Sequence, residues 1–176
     1  KDALVAAAGF INKVPEIVKE YGNEFTVATV GTIKVTPHSV NVIPGTCTFS
    51  LEIRDQSAEV MKLIENHLIQ LLEDICKKYG VTSTFVPTSY HDPAPMSELV
   101  RGTIEEAVKE LGIDYTVIPS GAFHDSLIMT SVFPTGMIFV PSKDGISHSR
   151  YEYTAPEDIE NGCNVLLNTV LKLDEK

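Results

Sequence analysis

The order of predicted elements points to a mixed protein, α+β in its first half and α/β in its second. Two observations carry this reading. Over residues 1–88 the hydrophobic pattern runs helix, strand, strand, helix, strand, and over residues 89–176 it changes to helices alternating with short strands. The change falls at a stretch holding Pro87, Pro93 and Pro95, which reads as a linker between modules.

Asp2 is placed to cap a first helix whose apolar side passes through Leu4, Val5, Ala8 and Ile11 and continues through Val14, Ile17 and Val18. Pro15 is expected to kink or divide that helix, because it removes a backbone donor. Residues 25–35 are rich in β-branched side chains and predict one extended strand, with Gly31 as a bulge. A turn at residues 42–45 leads to a second strand over 46–54, alternating apolar with polar. Ser57 then caps a helix striped by Val60, Leu63, Ile64, Leu68, Leu71, Leu72 and Ile75 and ended by Gly80, and residues 81–86 predict a third strand. This order is a ferredoxin-like (split βαβ) module without its first strand, so one sheet position is left unfilled.

In the second half, helices are expected at 97–111, near 126–131 and at 156–173, with strands at 115–118 and 135–140. Two short strands make a poor sheet, so this half is expected to complete a sheet supplied by other sequence. The chain also begins without Met, directly on a helix, and is expected to be a fragment or processed product.

Composition narrows the function classes. With 43% hydrophobic and 22% charged residues the chain has the balance of an ordered soluble protein. A formal charge of −10 repels phosphate backbones and excludes nucleic acid as a main partner. No apolar run approaches the roughly 20 residues that span a bilayer, and no signal peptide opens the chain, so a cytoplasmic protein is expected. Cys47, Cys76 and Cys163 are odd in number, widely spaced and in apolar surroundings, which predicts buried free thiols in a reducing compartment.

Three groups of residues have settings suited to chemistry. His148 follows an apolar strand and a glycine-bearing loop, where an imidazole can serve a divalent metal if other sequence brings the remaining ligands. A loop histidine bonded to backbone is the competing explanation. Ser120, Gly121, His124 and Asp125 lie just past another strand, where backbone N–H groups can meet an anion and His124 with Asp125 can polarise a carbonyl. A turn followed by a helix beginning at Asp125 explains the same residues. Asn41 and Arg54 flank the turn between the first two strands, and a guanidinium suits bidentate capture of a carboxylate. An Arg54 paired with Glu52 or Asp55 at the surface is the plainer alternative. His38, His67 and His91 are read as structural.

Several segments, in order along the whole chain, resemble one family. They are residues 1–8, Asn41-Val-Ile-Pro-Gly, Phe49-Ser-Leu-Glu-Ile-Arg, Pro119-Ser-Gly-Ala-Phe-His-Asp, and Met137-Ile-Phe-Val-Pro-Ser with Gly145-Ile-Ser-His-Ser. The chain is similar there to the N-carbamoyl-L-amino-acid hydrolase and allantoate amidohydrolase family, a branch of the M20 metallopeptidase-like enzymes. The resemblance implies that residues 1–88 are most of a ferredoxin-like lid, or dimerisation, domain. It implies that residues 89–176 are the C-terminal part of an M20-type α/β catalytic domain. It further implies a homodimer formed through the lid, a small ureido substrate, and two divalent ions (Zn, Mn, Co or Ni) in the complete enzyme. By matched motif, His148 would be the last metal ligand, and Asn41 and Arg54 would hold the substrate carboxylate. Ser120 and Gly121 would lie beside the substrate, with His124 and Asp125 as catalytic groups. The remaining metal ligands and the general-base glutamate would belong to a missing N-terminal catalytic half, leaving this chain inactive by itself. Phe123 stands where the family has Gly, and Arg150-Tyr151 replaces a proline-led sequence, which leaves the substrate open. A free-standing dimerisation or regulatory module is the alternative from another class.

Overall fold

The computed structural model describes residues 1–175, and it divides into two compact units, Lys1–Pro93 and Ala94 onward. The boundary lies in the proline-bearing stretch. The chain is mixed: the first unit holds helices and all four described strands, and the second holds helices joined by extended segments.

The first unit opens with helix α1, Ala3–Tyr21, capped as expected: the Asp2 carboxylate accepts from the N–H groups of Leu4 and Val5, each at 3.0 Å. Pro15 does not divide it. The helix runs on through Pro15, with Phe10 and Val14 on its buried side packed against Ile64 and Leu68. Those two belong to α2, Ala58–Tyr79, so packing on either side of the proline compensates for its missing donor. Ser57 caps α2, accepting from Val60 N–H, and Gly80 ends it at φ 66°. Val81 N–H reaches back to Cys76 O at 3.0 Å, the Schellman closure that a left-handed glycine permits.

Between the helices lies one antiparallel hairpin in two pieces. β1 (Val27–Thr29) pairs with β4 (Glu52–Arg54), and β2 (Ile33–Thr36) with β3 (Thr46–Phe49). From Thr29↔Glu52 to Ile33↔Phe49, three residues on one arm oppose two on the other, so the expected bulge is present at Val30-Gly31-Thr32. Ser50 pins it, its hydroxyl bonded to Thr32 N–H and Thr32 Oγ1 at 3.0 Å. At the open end, Asp55 accepts from Thr26 Oγ1, from Ser57 N–H at 2.8 Å and from Asn23 Nδ2 at 3.3 Å, tying the start of β1 to the start of α2. The hairpin's inner face, with Phe49, Leu51 and Ile53, covers the helix pair, and the Phe10 and Phe49 rings meet at 5.4 Å.

Residues 81–86 carry no strand pairing, a correction to the expected third strand. In a split βαβ module the last strand bonds to the first, and the described chain contains no such first strand for it to join. Phe85 and Val86 instead line an apolar groove with Phe10, Leu51, Ile53 and Leu68.

The second unit is built on α3 (Glu98–Leu111) and α5 (Pro156–Asp174), whose contact buries Thr103, Ala107, Val108, Val165 and Thr169. The two threonines are buried without cost to their hydroxyls: Thr103 donates to Leu99 O at 2.8 Å and Thr169 to Val165 O at 2.7 Å. Ser97 caps α3, and Gly112 ends it as Gly80 ends α2. Residues 135–140 run along both helices, Thr135 O accepting from Ser97 N–H at 2.8 Å. A Cβ on Gly136 would stand 2.7 Å from Val100 Cγ1, and one on Gly162 would stand 2.5 Å from Val140 Cγ1. The expected strands at 115–118 and 135–140 form no ladder among the described residues, for they bond neither to each other nor to a further strand. Their side chains match that state: Val117, Ile118, Phe139 and Val140 are exposed.

Candidate functional site

The first unit's candidates are Asn41 and Arg54. Arg54 ends β4, opposite Val27, beside the Asp55 staple that fixes this end of the hairpin. Its Nη2 lies 2.9 Å from both carboxylate oxygens of Glu52, the pairing that composition alone would favour. Asn41 lies in the tip, beyond the Thr36↔Thr46 pair, and is exposed with Val40, Val42 and Ile43. Ser39 Oγ donates to its Oδ1 at 2.8 Å. From Thr46 to Arg54 the chain takes eight strand steps, on the order of 25 Å. The structure therefore does not bring Asn41 and Arg54 together: they mark opposite ends of the hairpin, and sequence position beside a turn gives no measure of that length.

The second unit gathers the rest. Ser120 and His124 meet, the hydroxyl 3.0 Å from Nε2, although four positions apart in a loop. Ser120 Oγ also accepts from Ala122 N–H at 3.3 Å, so one side chain holds the turn and orients the imidazole. His124 is half-buried, and its ring meets Phe139 edge-on at 5.5 Å. Asp125 opens α4, Asp125–Met129, whose short length follows from a loop return at Thr130. This is a helix beginning at Asp125, as one of the two readings has it, and the carboxylate is exposed in the first turn. Nothing fills the space where a Gly121 side chain would stand, so the loop leaves room at that backbone. Phe123 is exposed.

Phe139 precedes the second loop, residues 141–153, and so places it near the first. That loop contains a single 3₁₀ turn, Lys143–Gly145, and closes at its neck through Lys143 N–H to Tyr153 O at 2.8 Å. His148 is exposed in it, at φ 55°, in the left-handed region that residues other than glycine enter uncommonly. Its N–H donates to Glu152 Oε2 at 2.8 Å. Sequence reasoning missed both Glu152 and Phe139. A spacing of four within a loop carries no periodic signal, and an aromatic in an apolar run looks like core.

No three His, Cys, Asp or Glu side chains come together as a metal site among the described residues. An exposed imidazole is a suitable nitrogen donor for a divalent ion, so His148 fits as one member of a set completed outside this chain. The thiols are unpaired as expected; Cys47 and Cys76 are partly buried, whereas Cys163 is exposed, against expectation, on the open side of α5. Burial pushes the Cys47 thiol above its usual value, which leaves it little thiolate. No described helix is long and apolar enough to cross a membrane.

Known proteins resemble this chain along nearly its whole length. An N-carbamoyl-L-amino acid amidohydrolase from Geobacillus stearothermophilus is 38% identical over 98% of this chain and 42% of its own length. An allantoate amidohydrolase from Bacillus subtilis is 32% identical over 98% of this chain and 42% of its own. The crystal structure of AtUAH in complex with (S)-hydroxyglycine superposes with a TM-score of 0.93 at 35% identity, covering 99% of this chain and 42% of that one. The chain thus spans less than half the length of the relatives it matches. Residues 7–172, nearly all of it, match Peptidase family M20/M25/M40, and the chain belongs to that family.

Proposed function

We propose that this chain is the C-terminal part of a metal-dependent amidohydrolase that cleaves the ureido C–N bond of N-carbamoyl-L-amino acids. The observation that carries the reading is the 38% identity to an enzyme named for that substrate, sustained over 98% of the chain. Residues 1–88 serve as the lid through which two copies pair, and residues 89–176 return to the catalytic domain. An N-terminal half supplies the other metal ligands and the general base.

Two divalent ions (Zn, Mn, Co or Ni), held by His148 and by ligands outside this chain, would supply Lewis-acid polarisation of the ureido carbonyl and activation of a water in the complete enzyme. His148 offers one imidazole to that centre. In this reading His124, which meets Ser120 and Phe139, hydrogen-bonds the substrate carbonyl, and the space beside the Gly121 Cα supports a substrate lying there. Asp125 sets a negative charge at the N-terminus of α4, where it steadies the loop that carries His124. Arg54, whose planar guanidinium suits bidentate capture, holds the substrate carboxylate in this reading. A carboxylic acid, (S)-hydroxyglycine, is the ligand of AtUAH. Asn41 presents its NH2 from the hairpin tip as a separate donor.

Allantoate is the second reading, favoured by the relative from Bacillus subtilis. Ammonia release by the full-length protein, loaded with each metal in turn, separates the readings. The expected result is a higher kcat/KM for an N-carbamoyl-L-amino acid than for allantoate. The reverse order establishes the second reading, and no turnover of either by a metal-loaded protein removes both readings.

A further inference from the structure

Among the described non-glycine residues, two have positive φ, Asp144 at 57° and His148 at 55°, and both lie in the one loop after residue 140. The loop is heavily tied. Besides its neck, Gly145 N–H bonds Ser142 O at 3.0 Å, Ile146 N–H bonds Lys143 O at 3.1 Å, and Glu152 N–H bonds Ser149 O at 3.0 Å. A left-handed backbone crowds Cβ against the following carbonyl, and it persists where its surroundings over-determine it. At His148 the surrounding group is a side chain, the Glu152 carboxylate at 2.8 Å, which makes a charge-assisted bond to the backbone N–H. The neighbouring cation does not compete for it: Arg150 lies over the Tyr151 ring at 4.7 Å and donates to the Tyr151 hydroxyl.

We infer that Glu152 is a positioning residue for His148: its carboxylate holds the His148 backbone left-handed and so sets the direction in which the imidazole leaves the loop. The inference rests on the reading of His148 as a metal ligand. A right-handed or extended residue at 148 would send its Cβ, and the ring, elsewhere from the same loop. The work asked of Glu152 is acceptance of one N–H, which a glutamine amide oxygen also performs, without the charge, whereas an aspartate is one methylene shorter and is expected to fall short.

The test uses the full-length protein and reads metal binding directly, by zinc competition against a chromophoric chelator and by the visible spectrum of the cobalt-substituted form. Glu152→Ala and Glu152→Asp are expected to weaken the affected metal about 10- to 100-fold, the range found for groups that orient a ligand from behind, and to alter the cobalt bands. Glu152→Gln is expected to stay within about threefold of the parent, because it keeps the acceptor. Wild-type affinity in Glu152→Asp overturns the inference, as does a Glu152→Gln protein as weak as Glu152→Asp. Should Glu152→Ala fail to fold, the Gln and Asp pair decides alone. His148→Ala keeps the two levels apart: unchanged metal content in that variant removes the metal reading of His148, whereas loss there with normal binding in Glu152→Asp removes only the role of Glu152.

Discussion

Arg54 answers to two carboxylates, that of Glu52 on its own strand and the one proposed on the substrate. The first is a surface pair with both side chains about half exposed, and such pairs contribute little. The second would be desolvated and bidentate. Arg54→Lys keeps the charge but loses the planar fork, so kcat/KM for an acid substrate should fall roughly ten- to a hundredfold, about 1.5 to 3 kcal/mol. An analogue whose carboxylate is replaced by a neutral amide should lose far less. Equal losses on the two substrates would mean that Arg54 only braces the hairpin. At this scale the sequence was legible where a residue acts through its neighbours, as with Asp2, Ser57 and Asp125. It was not legible where distance decides. Asn41 and Arg54 looked like one clamp and stand at opposite ends of the hairpin, while Glu152 meets the His148 N–H across a loop whose fold carries no periodic signal.

Two helical glycines in the second unit separate intrinsic helix preference from packing. Gly102, in α3, has nothing within 4 Å of a would-be Cβ, so Gly102→Ala should stabilise by roughly 1 kcal/mol through propensity alone. Gly162, in α5, meets Val140 Cγ1 at 2.5 Å, and the same substitution must displace a stiff, β-branched side chain. Overpacking of that kind costs about 1 to 3 kcal/mol, which cancels or outweighs the propensity gain. Urea unfolding of both variants checks the contrast; equal stabilisation would show that residues 135–140 give way freely. Helices were the readable elements here, since their stripes and caps are local. The expected strands at 81–86, 115–118 and 135–140 were not, because a strand is made by its partner and the partner is not encoded in the strand.

Taken as a whole, the described chain brings no three His, Cys, Asp or Glu side chains together, and on the proposed reading it supplies one metal ligand where a catalytic ion needs about three from the protein. Purified by itself and supplied with Zn, Mn, Co or Ni, it should release no ammonia from N-carbamoyl-L-amino acids above a metal-only blank. Release above that blank would show that His148 and the Ser120–His124 pair need no further half. The family could be read from motifs in order, whereas the substrate could not, since relatives with the same motifs carry different substrate names. For the first unit, integrity comes down to odd and even. Along β3 and β4 the core-facing positions are Cys47, Phe49, Leu51 and Ile53, an unbroken odd series. On the opposite arm the more buried positions are Thr26, Ala28 and Val30, then Val35, so the parity switches from even to odd across the bulge. The extra residue at Gly31 is the phase correction that lets an arm of one parity mate with an arm of the other. Were Gly31 paired as an ordinary strand residue instead of being taken up in the bulge, the alternation would stay even, turning Val35 to solvent and delivering Lys34 to the apolar side, whereas deleting Gly31 altogether would keep Val35 opposite Cys47.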